Sequence, residues 1–103
     1  MTYTVLMHPD AGEDIDSIEV YIALDSPSRA LAWREMLLGR IESLDRMPRR
    51  CRRAVESRML KRELRQMLFG EYRVLFTIRE RTVIVLHVRH AARKPWSGKP
   101  QDR

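Results

Sequence analysis

The stretch that decides the fold runs from Leu64 to Val88, LRQMLFGEYRVLFTIRERTVIVLHV. It divides into three runs rich in β-branched, aromatic and aliphatic residues: Leu64 to Phe69, Tyr72 to Ile78 and Thr82 to Val88. Gly70 and Arg79-Glu80-Arg81 separate them, so the pattern predicts three strands in an antiparallel meander. With Ile78 opposite Thr82, the expected register places Tyr72, Val74, Phe76 and Ile78 on one face with Ile84, Leu86 and Val88. That face is a complete apolar set. The other face collects polar groups, with Arg73 across from His87 and Glu71 from Arg89, while Leu75 and Thr77 continue the row. The second connector has no glycine to fix its turn type.

Upstream of this stretch the period changes twice. Thr2 to His8 alternates Tyr3, Val5 and Met7 with Thr2, Thr4 and Leu6, which suits a strand that Pro9 ends. From Asp10 the apolar spacing becomes helical, with Ile15, Ile18 and Ile22 on one stripe. Asp10, Glu13 and Asp14 stand in the first turn, where the helix dipole favours acids. Asp25-Ser26-Pro27 breaks the chain, Ser26 serving as N-cap and Pro27 as first helical residue of a second helix. Its stripe of Ala30, Trp33, Leu37, Ile41 and Leu44 ends at Met47-Pro48. So short a break makes the two helices an antiparallel hairpin. Arg49 to Arg62 has no clean period and reads as a basic connector with at most a short helical turn.

The order strand, helix, helix, three strands is α+β, with a helical hairpin on one face of a small sheet. The opposite sheet face is expected to be open. A single domain over residues 1–93 is expected, followed by a basic, frayed tail over 94–103 that contains Pro95, Gly98 and Pro100.

The chain has 103 residues, of which 33% are charged and 44% hydrophobic, enough for one core but not for a two-domain enzyme. No apolar run approaches the roughly 18 residues a bilayer span needs, and the first eight residues do not build a signal peptide, so a cytoplasmic protein without membrane contact is expected. Cys51 is the single cysteine, which excludes an internal disulfide and argues against structural zinc. His87 and His90 stand three apart on a strand, point to opposite faces and make a poor metal pair. No metal or other cofactor is expected. There is no Gly-rich phosphate loop, no GxSxG elbow and no helical His pair, which argues against nucleotide kinases, common hydrolases and metalloproteases.

The net charge of +6 is unevenly laid out. Residues 1–45 carry nine acids against three arginines, whereas residues 46–65 carry nine basic side chains against Glu56 and Glu63. Residues 66–103 carry eight bases against three acids. Such a dipolar layout favours a polyanionic partner, either nucleic acid or an acidic protein segment.

Chemistry concentrates in Arg65, Arg73, His87, Arg89, His90 and Arg93, on or just beyond the C-terminal strands. Guanidinium groups bind phosphate in a bidentate way and stabilise the charge of a phosphorane, while a histidine near neutral pKa moves protons. RNA cleavage by this set needs no metal, because the neighbouring 2′-hydroxyl is the nucleophile. The alternative is structural: Arg73 pairs with a carboxylate, His87 lies in a β row, and the arginines dock an acidic peptide. Tyr72 and Trp33 read as core residues, and Trp96 either contacts a partner or staples the tail to the domain.

Leu64 to Phe76, with its Gly-x-Tyr-Arg motif, and Val83 to Arg93, VIVLHVRHAAR, together resemble the C-terminal half of the RelE/ParE superfamily of toxins from bacterial type II toxin–antitoxin systems. The opening strand ending in His8-Pro9, the helical hairpin and the Met47-Pro48 stop are similar too. The resemblance implies a helical hairpin on a small antiparallel sheet, a cognate antitoxin as partner, and a toxin–antitoxin hetero-oligomer. For the target it implies either ribosome-bound messenger RNA, cut by the RelE-like branch, or DNA gyrase, poisoned by the ParE-like branch.

Under the nuclease reading, Arg73 matches the family's Tyr-Arg motif and Arg65 falls near a basic residue of the preceding strand. His90 and His87 complete the candidate catalytic set, in a chain with no tyrosine after Tyr72. Arg89, Arg93, Arg62, Lys61 and Lys94 are the candidate contacts to nucleic acid or target. The hairpin corner, YIALDSPSRA, looks more like ParE-type members. A non-catalytic nucleic-acid-binding or adaptor module on the same fold is the alternative.

Overall fold

The structure is a computed structural model that describes residues 2–99. Strand β1 (Thr4–Met7) leads into helix α1 (Pro9–Ala23), and helix α2 (Pro27–Glu42) folds back on it. Pro9 both ends the strand and opens the helix, and the His8 ring caps it by accepting the Asp10 N–H at Nδ1, 3.0 Å away. Ser26 caps α2 through its hydroxyl, which accepts the Arg29 N–H at 3.2 Å. Two 3-10 turns, Ser43–Asp45 and Pro48–Arg50, and a short helix α3 (Val55–Leu60) lead to the meander β2 (Arg65–Phe69), β3 (Tyr72–Arg79) and β4 (Thr82–His90).

The sheet order is β1-β4-β3-β2, with β1 parallel to β4 and the other pairs antiparallel. One face packs on the helical hairpin. Ile15 of α1 and Leu37 and Ile41 of α2 meet Met67, Val74, Phe76, Ile78, Val83, Val85 and Val88 in a single buried cluster.

The expected register is corrected here. The β3–β4 connector is a two-residue loop, Glu80-Arg81, so Arg79 rather than Ile78 faces Thr82. A bulge then shifts the pairing between Leu75 and Phe76, which leaves Leu86 as the extra residue of β4. Val83 and Val85 before the bulge and Val88 after it therefore all face the helices, whereas Ile84 and Leu86 do not. Arg73 consequently lies across from Arg89, and Leu75 from His87. Tyr72 pairs with His90.

The second sheet face is covered, contrary to expectation. A smaller cluster of Ala54, Leu64, Leu75 and Trp96, with Leu60 and Leu86 beside it, packs α3 and the C-terminal segment onto that side. Trp96 is 7% exposed, so folded packing continues past residue 93 and the segment to Lys99 is anchored rather than frayed. Residues 100–103, the end of the expected tail, lie outside the described residues. Among the described residues no helix is long and apolar enough to cross a membrane.

Candidate functional site: a sealed basic face and an open groove

On the covered face, sequence-distant charges are brought together and then neutralised. Arg73 projects from β3 into a buried fork with Glu56 of α3, and its Nη1 also donates to Oε1 of Gln66 at 3.0 Å. Burial pushes the Glu56 carboxyl up, but hydrogen bonds from the Arg73 guanidinium and the Trp96 N–H outweigh it and hold its pKa below the usual value. Glu56 thus binds three elements at once, since Trp96 N–H reaches its Oε2 at 2.9 Å.

His87 is held in the same way. Its Nδ1 is 2.8 Å from Oδ2 of Asp14 on α1, an oxygen that also accepts the Val88 N–H at 3.0 Å. The other side of the ring is closed by Trp96, whose centroid lies 4.6 Å away. Arg89 is 2% exposed and donates from Nη2 to the Lys94 carbonyl at 2.7 Å.

The remaining candidate residues separate from this group. Arg65 pairs with Phe76 and so projects on the helix side of the sheet, away from Arg73. It donates from Nη1 to the Cys51 carbonyl at 2.7 Å and from Nη2 to Glu63 at 3.0 Å. Arg65 on one face of the sheet and Arg73 with Arg89 on the other therefore form two separate, internally bonded sets. His90 meets Tyr72 edge-on at 5.3 Å, and its Nδ1 accepts the Ala92 N–H, which places the proton of the neutral ring on Nε2. Arg93 is exposed beside His90 at a cavity of about 560 Å³ that Tyr21 and Tyr72 also line. Lys61, Arg62 and Lys94 are exposed, the Arg62 guanidinium lying 5.8 Å from the Trp96 ring centroid.

A larger concavity lies elsewhere. Between the corner of the helical hairpin and the β2–β3 turn runs a groove of about 850 Å³, lined by Tyr21, Leu24, Trp33, Met36, Phe69 and Tyr72 among others. Tyr21 and Leu24 are 72% and 82% exposed, so an apolar rim faces water. Trp33 and Tyr72 stack edge-on at 5.4 Å and are partly exposed at the margin of the core, not enclosed within it. The Trp33 indole N–H is buried with no hydrogen-bond partner among the described residues. No group of three or more His, Cys, Asp or Glu side chains that could hold a metal occurs among the described residues.

Two residues central to this arrangement, Asp14 and Glu56, carried a readable signal. Asp14 stands three after Ala11 and four before Ile18, at buried-face spacing, and Glu56 is the only acid between Arg46 and Arg62.

A sequence model of the family described as ParE toxin of the type II toxin–antitoxin system parDE matches residues 5–95. The chain belongs to the ParE toxin family. Its fold is shared with the chromosomal ParDE toxin–antitoxin system from P. aeruginosa, at a TM-score of 0.72 and 16% identity over 86% of this chain and 96% of that one. It is also similar to a chain of the toxin–antitoxin complex RelBE2 from Mycobacterium tuberculosis, at a TM-score of 0.60 and 25% identity over 90% and 95% of the two chains. No curated protein matches the sequence at a significant level. ParE membership accounts for the hairpin-on-sheet architecture, and the ParE-like reading of the hairpin corner agrees with it.

Proposed function

We propose that this ParE-family toxin inhibits growth by acting on DNA gyrase, without cleaving RNA, and that a cognate antitoxin neutralises it by filling the hairpin groove. The observation that carries the target is the sealed face. A metal-independent ribonuclease needs a guanidinium that reaches the phosphate and a proton-transfer group within about 3 Å of the reacting oxygen. Arg73 and His87, the best candidates for those roles, are instead buried and bonded to Glu56 and Asp14, and the Trp96 ring lies against His87. Of the two candidate histidines only His90 is partly exposed, at the cavity that Glu13, Tyr21, Tyr72 and Arg93 also line, apart from the Arg73–Glu56 fork.

The groove supports the antitoxin. Tyr21, Leu24 and Met36 put exposed apolar surface on its rim, and its size suits an amphipathic segment that orders on binding. Both solved relatives come from toxin–antitoxin systems, and for this chain the antitoxin's seat is an inference from the groove.

Inducing the chain in a gyrase-bearing host, mapping messenger RNA ends and assaying gyrase-mediated DNA cleavage tests the target. Growth arrest with gyrase-linked DNA breaks and unchanged RNA ends is expected. Ribosome-dependent RNA cuts without DNA breaks would overturn it.

A further inference from the structure

Outside both regions lies a charged ridge that neither reading uses. Between Arg46 and Arg62 the chain carries eight basic residues and a single acid, Glu56, which is buried against Arg73. The middle of this segment is held in place along the free edge of β2. Arg53 bridges to Arg65 in antiparallel fashion, Gln66 N–H donates to the Arg52 carbonyl at 3.1 Å, and Ala54 N–H donates to the Leu64 carbonyl at 2.8 Å. Arg49, Arg50, Arg52 and Arg53 are therefore displayed from a backbone fixed to the sheet, with their side chains exposed.

Their charge is concentrated as well as exposed. Guanidinium nitrogens of Arg49, Arg53 and Arg65 lie 3.6, 3.5 and 3.0 Å from one oxygen of Glu63, so three cations share one carboxylate. Side chains of Arg49 and Arg53 remain 53% and 66% exposed. Burial pushes the Cys51 thiol up against the opposing charges of Arg50, Arg65 and Arg40, which places further cations around the same spot. Holding surplus positive charge at such separations is unfavourable until an anion arrives, and the positions are set before it does.

We infer that this β2-edge ridge binds the phosphate backbone of duplex DNA. Seven of the eight basic residues in the segment are arginines, whose planar forks fit phosphate oxygens in a bidentate way. The segment from Arg46 to Arg62 contains no aromatic residue, so it offers no platform on which single-stranded bases stack, and a duplex is favoured over a single strand. Contacts to phosphate oxygens carry no sequence information, so binding to this backbone charge is expected to be independent of sequence. The inference does not rest on the gyrase reading, because its test contains no gyrase.

The test is fluorescence anisotropy of the whole chain with a labelled DNA duplex of about two helical turns. If three phosphates are engaged, raising salt from about 50 to about 200 mM weakens binding about forty-fold, each contact contributing about 0.9 to the logarithmic slope. Neutralising three arginines, R49Q/R52Q/R53Q, should remove most of that slope. Glu63→Gln, which deletes the shared carboxylate's charge, should tighten binding, and the pair R29Q/R34Q, on α2 and paired with Asp25, Asp16 and Glu19, should change it less than about three-fold. Opposite responses to the two ridge variants separate an effect of charge from loss of folding.

Absence of salt-dependent binding, equal weakening by R29Q/R34Q, or tighter binding to a single strand than to the duplex would overturn the inference. Displacement of the duplex by polyglutamate at equal charge concentration would overturn it in favour of an acidic protein partner.

Discussion

The guanidinium of Arg73 donates from Nη1 to Oε1 of Glu56 at 3.0 Å and from Nη2 to Oε2 at 2.8 Å, and both side chains are buried. This fork joins β3 to α3, and the Trp96 N–H on the same carboxylate adds the C-terminal segment. One carboxylate therefore closes the second face of the sheet.

Breaking that fork from one side leaves a buried charge without its counterion. Glu56→Ala and Arg73→Ala should each cost about 3–5 kcal/mol, measured by urea denaturation. Arg73→Lys should rescue little, since an ammonium cannot reproduce two parallel hydrogen bonds. If Arg73→Ala costs under about 1 kcal/mol, the fork does not hold the face closed.

The same carboxylate sets an acid limit. Its pKa is lowered in the folded protein relative to 4.5, so the unfolded chain takes up the proton first as pH falls. The stabilisation is full above about pH 4.5 and declines as pH drops through the lower folded value. Unfolding free energies measured between pH 7 and pH 3 should fall below that point. Glu56→Gln should flatten this decline, and an unchanged profile would show that other carboxyls govern acid unfolding.

Much of this architecture is written in the sequence, and the parts that are not share a physical reason. Ser26-Pro27 marks the hairpin corner through capping chemistry that acts within one turn, and period-two alternation marks each strand. Register is less local. Glu80 adopts a left-handed φ of 54° in a two-residue loop that sequence preference assigns to glycine or asparagine, and the Leu86 bulge leaves no break in a continuous apolar run. The loop and the bulge each shift the pairing by one residue, and together they move His87 from opposite Arg73 to opposite Leu75.

The candidate site was legible as a set of residues and not as a state. Arg73, His87 and Arg89 do share a face, but what covers them comes from a six-residue helix and one tryptophan in a Pro- and Gly-containing tail. Neither carries a periodic signal long enough to read.

Trp96 is the residue on which that cover turns. It contacts Glu56 through its backbone and His87 and Arg62 through its ring, and the Leu60 side chain lies 3.1 Å from where a Cβ on Gly98 would stand. Trp96→Ala should cost about 3 kcal/mol or more by loss of burial. Hydrogen exchange should accelerate over residues 91–99 and α3, with β1 and the helical hairpin protected as before. Uniform acceleration throughout the chain would mean that the tail is integral to the whole fold and not a cover on one face.

The left-handed residue in the β3–β4 loop offers a gain in stability instead of a loss. A non-glycine side chain at a φ of 54° costs roughly 1–2 kcal/mol through the clash of Cβ with the backbone, and glycine avoids that clash at some entropic cost in the unfolded chain. Glu80 is exposed and sits at the tip of the hairpin, so its side chain contributes little packing to lose. Glu80→Gly should therefore stabilise the fold by about 0.5–1 kcal/mol, and Glu80→Asn by a similar or smaller amount. Glu80→Val, β-branched at the same φ, should destabilise it. Thermal melts of the three variants check the order Gly, Asn, wild type, Val, and a melt in which Glu80→Val matches wild type would mean that the loop relaxes out of the left-handed region at no cost.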